Sequence, residues 1–167
     1  MKQASEKQLV IYTIGHGNKK IENFIEQLKN FNVGVLVDVR SIPYSRYHPQ
    51  FRQNNLKESL ESNSIRYMWL GNVLGGRPAD ASLYTNGKLN YEAIKNSSEF
   101  ADGLKQVLSL AEIGIKVTLM CSESDPNQCH RKLLIADVLI QQNLVIIHIT
   151  KFDEFENHDN SNYRLSL

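Results

Sequence analysis

Cysteine is nearly absent: the chain holds only Cys121 and Cys129, eight positions apart. Two thiols do not make the staples of a small secreted domain, so a reducing, cytoplasmic setting is expected. Long hydrophobic runs are missing as well. The longest, residues 144–149, is strand-sized and far short of a membrane span, so no membrane partner is expected. The opening residues, MKQASEKQLV, lack the apolar core of a secretory signal. There is little excess charge of either sign. With a net charge of +1 the chain is no polyelectrolyte binder, and any attraction to nucleic acid must come from a local patch. No internal repeat, low-complexity tract or linker occurs. His16-Gly17 is not part of a GxGxxG fingerprint, and no P-loop lysine motif is found, so nicotinamide and ATP readings lack support and no cofactor is expected.

What is present fits one domain. The 167 residues are 41% apolar and 22% charged, ordinary values for a globular chain that buries its own core. Residues 1–167 are read as one unit, with 1–7 and 156–167 expected to be loose. Five short apolar runs, at 9–14, 33–39, 65–69, 116–121 and 145–149, read as strands covered on both faces. Helical spacing links them. Ile21, Phe24, Ile25 and Leu28 mark one helix, and Leu56 and Leu60 a second ending near Asn63. Phe100, Leu104, Val107, Leu108 and Ala111 mark a third. Leu133, Leu134, Asp137 and Val138 lie in a fourth, which ends at Gln142-Asn143. The expectation is an α/β domain: a mostly parallel five-stranded sheet with helices on both faces, a Rossmann-like three-layer sandwich. Residues 70–90 read as a long irregular, glycine-rich loop of lid type.

Ligands of such sheets bind beyond the carboxyl ends of the strands. There the first strand leads into His16 and the second carries Asp38 and Arg40. The third runs into the glycine-rich loop, and the fourth ends at Cys121, followed by Glu123 and Asp125. The opposite ends carry plain residues: Lys7, Asn32, Ser64 and Lys116. The densest segment is CSESDPNQCHR, residues 121–131. Asp125-Pro126 makes a turn, and Cys129, His130 and Arg131 open the next helix, where backbone amides and the Arg131 fork favour an anion. Glu123 suits acid/base or nucleophilic work.

Plainer readings compete. Cys121 can be a small core residue, and His130 a local hydrogen-bonding group. Glu123 can pair with Arg131 or Arg40, and Asp38 can merely fix Arg40. A cysteine-phosphatase loop needs five residues between Cys and Arg. Here Cys121 and Arg131 have nine between them, and Cys129 and Arg131 have one. A zinc site could draw on Cys121, Glu123, Cys129, His130 and His16, but CxxC and HxxxH spacings are lacking, so no metal is expected. The stretch RSIPYSRYHPQFR, residues 40–52, is a separate feature. It interleaves Arg40, Arg46 and Arg52 with Tyr44, Tyr47 and Phe51 and holds no acid, which suits phosphate contact with base stacking. Arg66 and Arg77 could extend the patch. The competing reading is a loop that packs its rings and solvates its arginines.

YTIGHGN at 12–18, LVDVRSIPYSR at 36–46, HPQF at 48–51, IRYMWLGNVLGGR at 65–77 and LMCSESDPNQCHRKLLIADVL at 119–139 together resemble the bacterial and archaeal domain of unknown function 488 family. Gly17 stands where that family commonly has serine. The resemblance implies an α/β sandwich-like domain and a site including His16, Asp38, Arg40, Cys121, Glu123, Cys129, His130 and Arg131. It implies no reaction.

The leading expectation is an enzyme, a hydrolase or glycosidase-like protein, acting on a phosphorylated, nucleotide or nucleic-acid-related substrate. Glu123, Asp38, His16 and His130 would do the chemistry. Arg40, Arg46, Arg131, Cys121, Cys129 and Tyr44 would bind the anionic small molecule or nucleic acid. The alternatives are a non-catalytic nucleic-acid-binding module using residues 40–52, and a metal-dependent hydrolase.

Overall fold

One turn geometry hands helix over to strand four times. Asn32, Ser64, Gly114 and Asn143 sit at φ of 53°, 61°, 88° and 62°, in the left-handed region. In each case two backbone bonds close the helix end. Asn32 N donates to Lys29 O and Val33 N to Leu28 O. The same pair of bonds recurs at Ser64 and Ile65, at Gly114 and Ile115, and at Asn143 and Leu144. This is the Schellman motif, and its exiting apolar residue lies one or two positions before the next strand. Only glycine adopts that conformation without cost, and asparagine tolerates it.

The computed structural model describes residues 8–151 and 154–158. Its main sheet is built of β1 (Val10–Gly15), β2 (Val35–Asp38), β3 (Arg66–Trp69), β6 (Val117–Cys121), β7 (Val145–Ile149) and β8 (Phe155–Asn157). Their order across the sheet is β3-β2-β6-β1-β7-β8. The first five are parallel and β8 runs antiparallel along β7. Two apolar clusters lie on the two faces. One packs Phe24, Ile25 and Leu28 of α1 (Ile21–Asn30) and Leu56 and Leu60 of α2 (Gln53–Glu61) on Ile14, Leu36 and Met120. The other packs Phe100, Leu104 and Val107 of α5 (Ser98–Glu112) and Leu139 of α6 (Asp137–Ile140) on Val35, Val37, Val117 and Leu119. The expected three-layer α/β arrangement is therefore present. Among the described residues no helix is long and apolar enough to cross a membrane.

Three expectations need correction. The sheet has six strands, not five, because β8 adds to the edge through backbone bonds. For the same reason residues 156 and 157 are not loose: they lie in β8, and His158 after them is buried. Residues 1–7 and 159–167 lie outside the described residues. Finally, residues 70–90 are not one irregular loop. They hold α3 (Gly71–Leu74), a 3-10 turn (Ala81–Leu83) and a small hairpin of β4 (Tyr84–Thr85) and β5 (Lys88–Leu89). A further short helix, α4 (Tyr91–Lys95), follows.

The topology fixes where a ligand can sit. β1 and β2 feed helices on one face, whereas β6 feeds α6 on the other. β6 lies between β2 and β1, so the chain leaves its carboxyl end away from both neighbours. That is the topological switch point at which open α/β sheets form a crevice.

Candidate functional site

The crevice is built by close backbone contact around the end of β6. His16 N donates to Cys121 O at 3.0 Å, Gly17 N to Ser122 O at 2.9 Å and Val39 N to Met120 O at 3.0 Å. Gly15 permits this approach: a Cβ there would lie 1.8 Å from Glu123 O. The segment after β6 then makes a 3-10 turn, Pro126–Gln128, capped by Asp125. Next comes a π-helical turn, Arg131–Ala136, that leads into α6. Such turns are rare and frequently accompany functional sites.

Arg131 ties this segment down. It is the largest fully buried side chain described. Its Nη1 donates to Glu123 O at 2.7 Å, its Nη2 to Ser124 O at 3.2 Å and its Nε to Thr13 Oγ1 at 3.3 Å. Three of its five N–H groups go to backbone carbonyls and a hydroxyl, and it meets the backbone of Glu123 rather than its carboxylate.

Asp38 and Arg40 form a second buried unit. Asp38 Oδ1 accepts from Arg40 Nε at 2.8 Å and Arg40 N at 3.1 Å. Its Oδ2 accepts from Arg40 Nη2 at 2.6 Å and from the Tyr67 hydroxyl at 2.7 Å. Every lone-pair direction of the carboxylate is engaged. Burial, then Asp38, pushes the Tyr67 hydroxyl well above the usual phenol range, so it stays a donor. Arg40 Nη1 meets His16 Nε2 at 3.3 Å. His16 stacks on Phe51 with ring centroids 4.3 Å apart, and its Nδ1 meets Gly17 O at 2.8 Å. Nδ1–H therefore donates to Gly17, and Nε2 accepts from Arg40. Asp38, Tyr67 and His16 thus aim one guanidinium, which still has N–H groups on both terminal nitrogens.

That guanidinium lines a cavity of about 440 Å³, a size that suits a small ligand. The cavity's other charged and reactive lining residues are Arg77, Glu123, Cys121, Cys129 and His130; Tyr44 and Tyr91 contribute rings. Arg46 does not line it; its guanidinium lies 5.7 Å over the ring of Tyr47. Arg52 stacks on Tyr44 at 4.7 Å. A larger groove of about 560 Å³ between α1 and α2 is lined by Glu22, Glu26, Lys29 and Glu58 among others, with no comparable convergence of reactive groups.

Glu123 is solvent-exposed, and among the described residues it forms no ion pair. Burial works against its charge. The hydrogen bond from Cys121 Sγ at 3.1 Å, together with the residue's own backbone amide, Cys129 and His130, outweighs this and leaves the carboxyl below its ordinary range. Glu123 is ionised at neutral pH. The neighbouring Cys129 thiol and burial push Cys121 up, while Cys121, His130 and Arg131 pull Cys129 down. His130 Nε2 meets Val39 O at 3.2 Å, so it carries the proton, and Nδ1 faces both sulfurs at 3.8 Å. Cys121, Cys129 and His130 are also the residues that could hold a metal ion, with donor atoms all within 4.8 Å of one another.

Several contributors escape a reading of sequence alone. Tyr67 and Tyr91 carry no catalytic signature, although a tyrosine or tryptophan within an apolar strand, as Tyr67 is, signals a polar partner nearby. Trp69, whose Nε1 donates to Arg40 O at 2.9 Å, is a second case. Behind the site runs a buried chain of donors. Arg131 meets Thr13, whose Oγ1 lies 2.7 Å from His148 Nδ1. His148 Nε2 lies 3.1 Å from His158 Nδ1, and His158 Nε2 lies 3.6 Å from Asp137.

Two buried imidazoles, His16 and His148, set an acid limit on stability. Burial, with Arg40 beside it, pulls His16 down to about 4. Burial, then His158, pulls His148 down to about 3. Their folded pKa values lie below the unfolded value, so the unfolded chain takes up protons first. Stability is full above about pH 6.5 and falls as pH drops towards these values. At about pH 4.5 each imidazole is expected to cost about 2–3 kcal/mol. Urea denaturation at pH 7 and at pH 4.5 checks this; unchanged midpoints would contradict it.

The family model described as Domain of unknown function DUF488 matches residues 20–139. No curated protein and no solved structure matches the chain.

Proposed function

Because this chain belongs to the family described as Domain of unknown function DUF488, whose description names no reaction, we propose from the site alone that it is a hydrolytic enzyme for a phosphate-bearing, nucleotide-type substrate. One observation carries the reading. An ionised carboxylate, Glu123, which forms no ion pair among the described residues, shares a cavity with the braced guanidinium of Arg40 and the exposed Arg77.

Arg40 and Arg77 would hold the anionic group through charge-assisted hydrogen bonds. Glu123 would take a proton from the attacking water as general base. Asp38 and His16 would act through Arg40, and Arg131 through the backbone at Glu123; these are positioning residues. Tyr44, half exposed at the cavity wall and backed by Arg52, offers a face on which a base can stack. Phosphate-ester and N-glycosidic bonds both present an electrophile that such a base and anion clamp can serve.

The binding half is tested by calorimetry with nucleoside monophosphates, sugar phosphates and short single-stranded oligonucleotides. Phosphate-bearing ligands should bind, and Arg77→Ala should weaken them about tenfold, roughly 1.4 kcal/mol. Tyr44→Ala should cost about 1–3 kcal/mol for base-bearing ligands and nothing for sugar phosphates. A panel in which nothing binds, or binding indifferent to Arg77, would sink the proposal.

One observation favours a second reading, a non-catalytic nucleic-acid module. Tyr47 is 80% exposed, with Arg46 over its ring, outside the cavity. That reading requires steeply salt-dependent oligonucleotide binding, lost in Arg46→Ala/Arg52→Ala and unaffected by Glu123→Gln, with no turnover.

A further inference from the structure

We propose that Cys121, Cys129 and His130 form a three-ligand site for a zinc-class divalent ion, with its fourth coordination position open to the cavity. The ligands come from two elements. Cys121 ends β6, and Cys129 and His130 lead into the π-helical turn. Their spacing in sequence is not that of a local metal loop, because the crossover from strand to helix brings them together. His130 Nδ1 lies 3.8 Å from each sulfur, and the three donor atoms lie within 4.8 Å of one another. A tetrahedral ion with sulfur at about 2.3 Å and nitrogen at about 2.0–2.1 Å sets a sulfur–nitrogen edge of roughly 3.6 Å. The two sulfur–nitrogen edges reach that with shifts of a few tenths of an ångström, and the two sulfurs, within 4.8 Å of each other, close towards the roughly 3.8 Å edge of the same tetrahedron.

The orientation of His130 is the independent support. Its Nε2–H points at the Val39 carbonyl, as the second nitrogen of a metal-bound histidine does. The free lone pair of Nδ1 is thereby turned onto both sulfurs. A disulfide between Cys121 and Cys129 would need no such lone pair. The backbone is also held: Cys121 O accepts from His16 N, and Cys129 O accepts from Lys132 N and Leu133 N. Two thiolates and one imidazole select zinc or cobalt over magnesium or calcium. As the ion binds, the Cys121 thiol gives up its proton, which the adjacent, exposed Glu123 carboxylate relays to solvent and so stays ionised.

Three protein ligands and one open position mark a catalytic rather than a structural zinc site. If the cavity is an active site, as proposed above, a water on the ion would lose its proton to Glu123. The hydroxide would form the new bond to the electrophile, and the leaving group would take the proton from Glu123. Ion binding itself does not depend on that reading.

The test uses the full chain, stripped with a chelator under reducing conditions and titrated with Co²⁺ and then Zn²⁺. One equivalent of cobalt should bind, with thiolate-to-cobalt charge-transfer bands and the intense visible bands of tetrahedral cobalt, and zinc should displace it. Cys121→Ser and Cys129→Ser should each weaken binding by more than about a hundredfold, beyond the loss of an outer-shell partner. Glu123→Gln should keep the site. Circular dichroism shows whether the variants fold. Where they do not, folded wild-type protein without charge-transfer bands overturns the proposal by itself. So does an intact mass showing a Cys121–Cys129 disulfide that persists in reduced glutathione. Stoichiometric cobalt binding without turnover of any panel member supports the ion site and overturns the hydrolytic reading. Turnover without cobalt bands overturns the ion site alone.

Discussion

Asp38→Ala should destabilise the protein by about 3–5 kcal/mol, the usual cost of removing one partner from a buried ion pair. Both side chains are nearly inaccessible, at 3% and 0% exposure. The substitution leaves the Arg40 guanidinium buried without its counter-charge. It also leaves the Tyr67 hydroxyl and the Arg40 amide without an acceptor. Against a total stability of about 5–15 kcal/mol for a typical domain, that is a large fraction. The measurement is the urea midpoint at unchanged slope. The pair itself should be worth far less than its rupture, because desolvation offsets most of the attraction. Asp38→Leu combined with Arg40→Met should therefore recover much of the lost stability while abolishing anion binding. Asp38→Ala within about 1 kcal/mol of wild type would show that the pair is not the brace it is taken to be.

Glu123→Gln separates chemistry from folding. The side chain is exposed and outside any ion pair among the described residues, so stability should change by no more than about 0.5 kcal/mol. Loss of a positioned general base should lower kcat by about 10²–10⁴-fold with little change in binding. The pH profile adds a second readout. The wild-type carboxyl titrates below its ordinary range, so activity should fall only in acid, as that group takes up a proton. The glutamine variant should lack that limb. A variant that retains full turnover of an identified substrate ends the assignment of Glu123.

Much of the layer architecture was legible because β1, β2, β6 and β7 are runs of Val, Ile and Leu between helices of clear 3.6 periodicity. β8 was not legible: Phe-Glu-Asn has little strand character, and its pairing with β7 rests on backbone bonds at an edge. The β4–β5 hairpin left a readable sign, Asn86-Gly87, with φ of 52° and 73°. Its two-residue strands fall below what periodicity can detect. Ser64 takes a left-handed turn that composition would give to glycine or asparagine. The site was legible in place, since strand ends gather polar residues whatever their chemistry. Roles within it were less so. Arg131 points at backbone carbonyls, Asp38 is consumed by Arg40, and Arg46 lies off the cavity. Each outcome depends on side-chain direction, which residue order does not carry. The grouping of Cys121, Cys129 and His130 is a related case, because spacing rules for metal ligands describe single loops, not a strand end and the helix after it.

A crystal structure with a bound nucleoside monophosphate tests the central claim, that the cavity at the end of β6 is the working site. Its phosphate is predicted to lie within hydrogen-bond distance of Arg40 and Arg77, beside the Glu123 carboxylate. A ligand seated instead in the groove between α1 and α2, or on Tyr47 and Arg46 with the cavity unfilled, would contradict it.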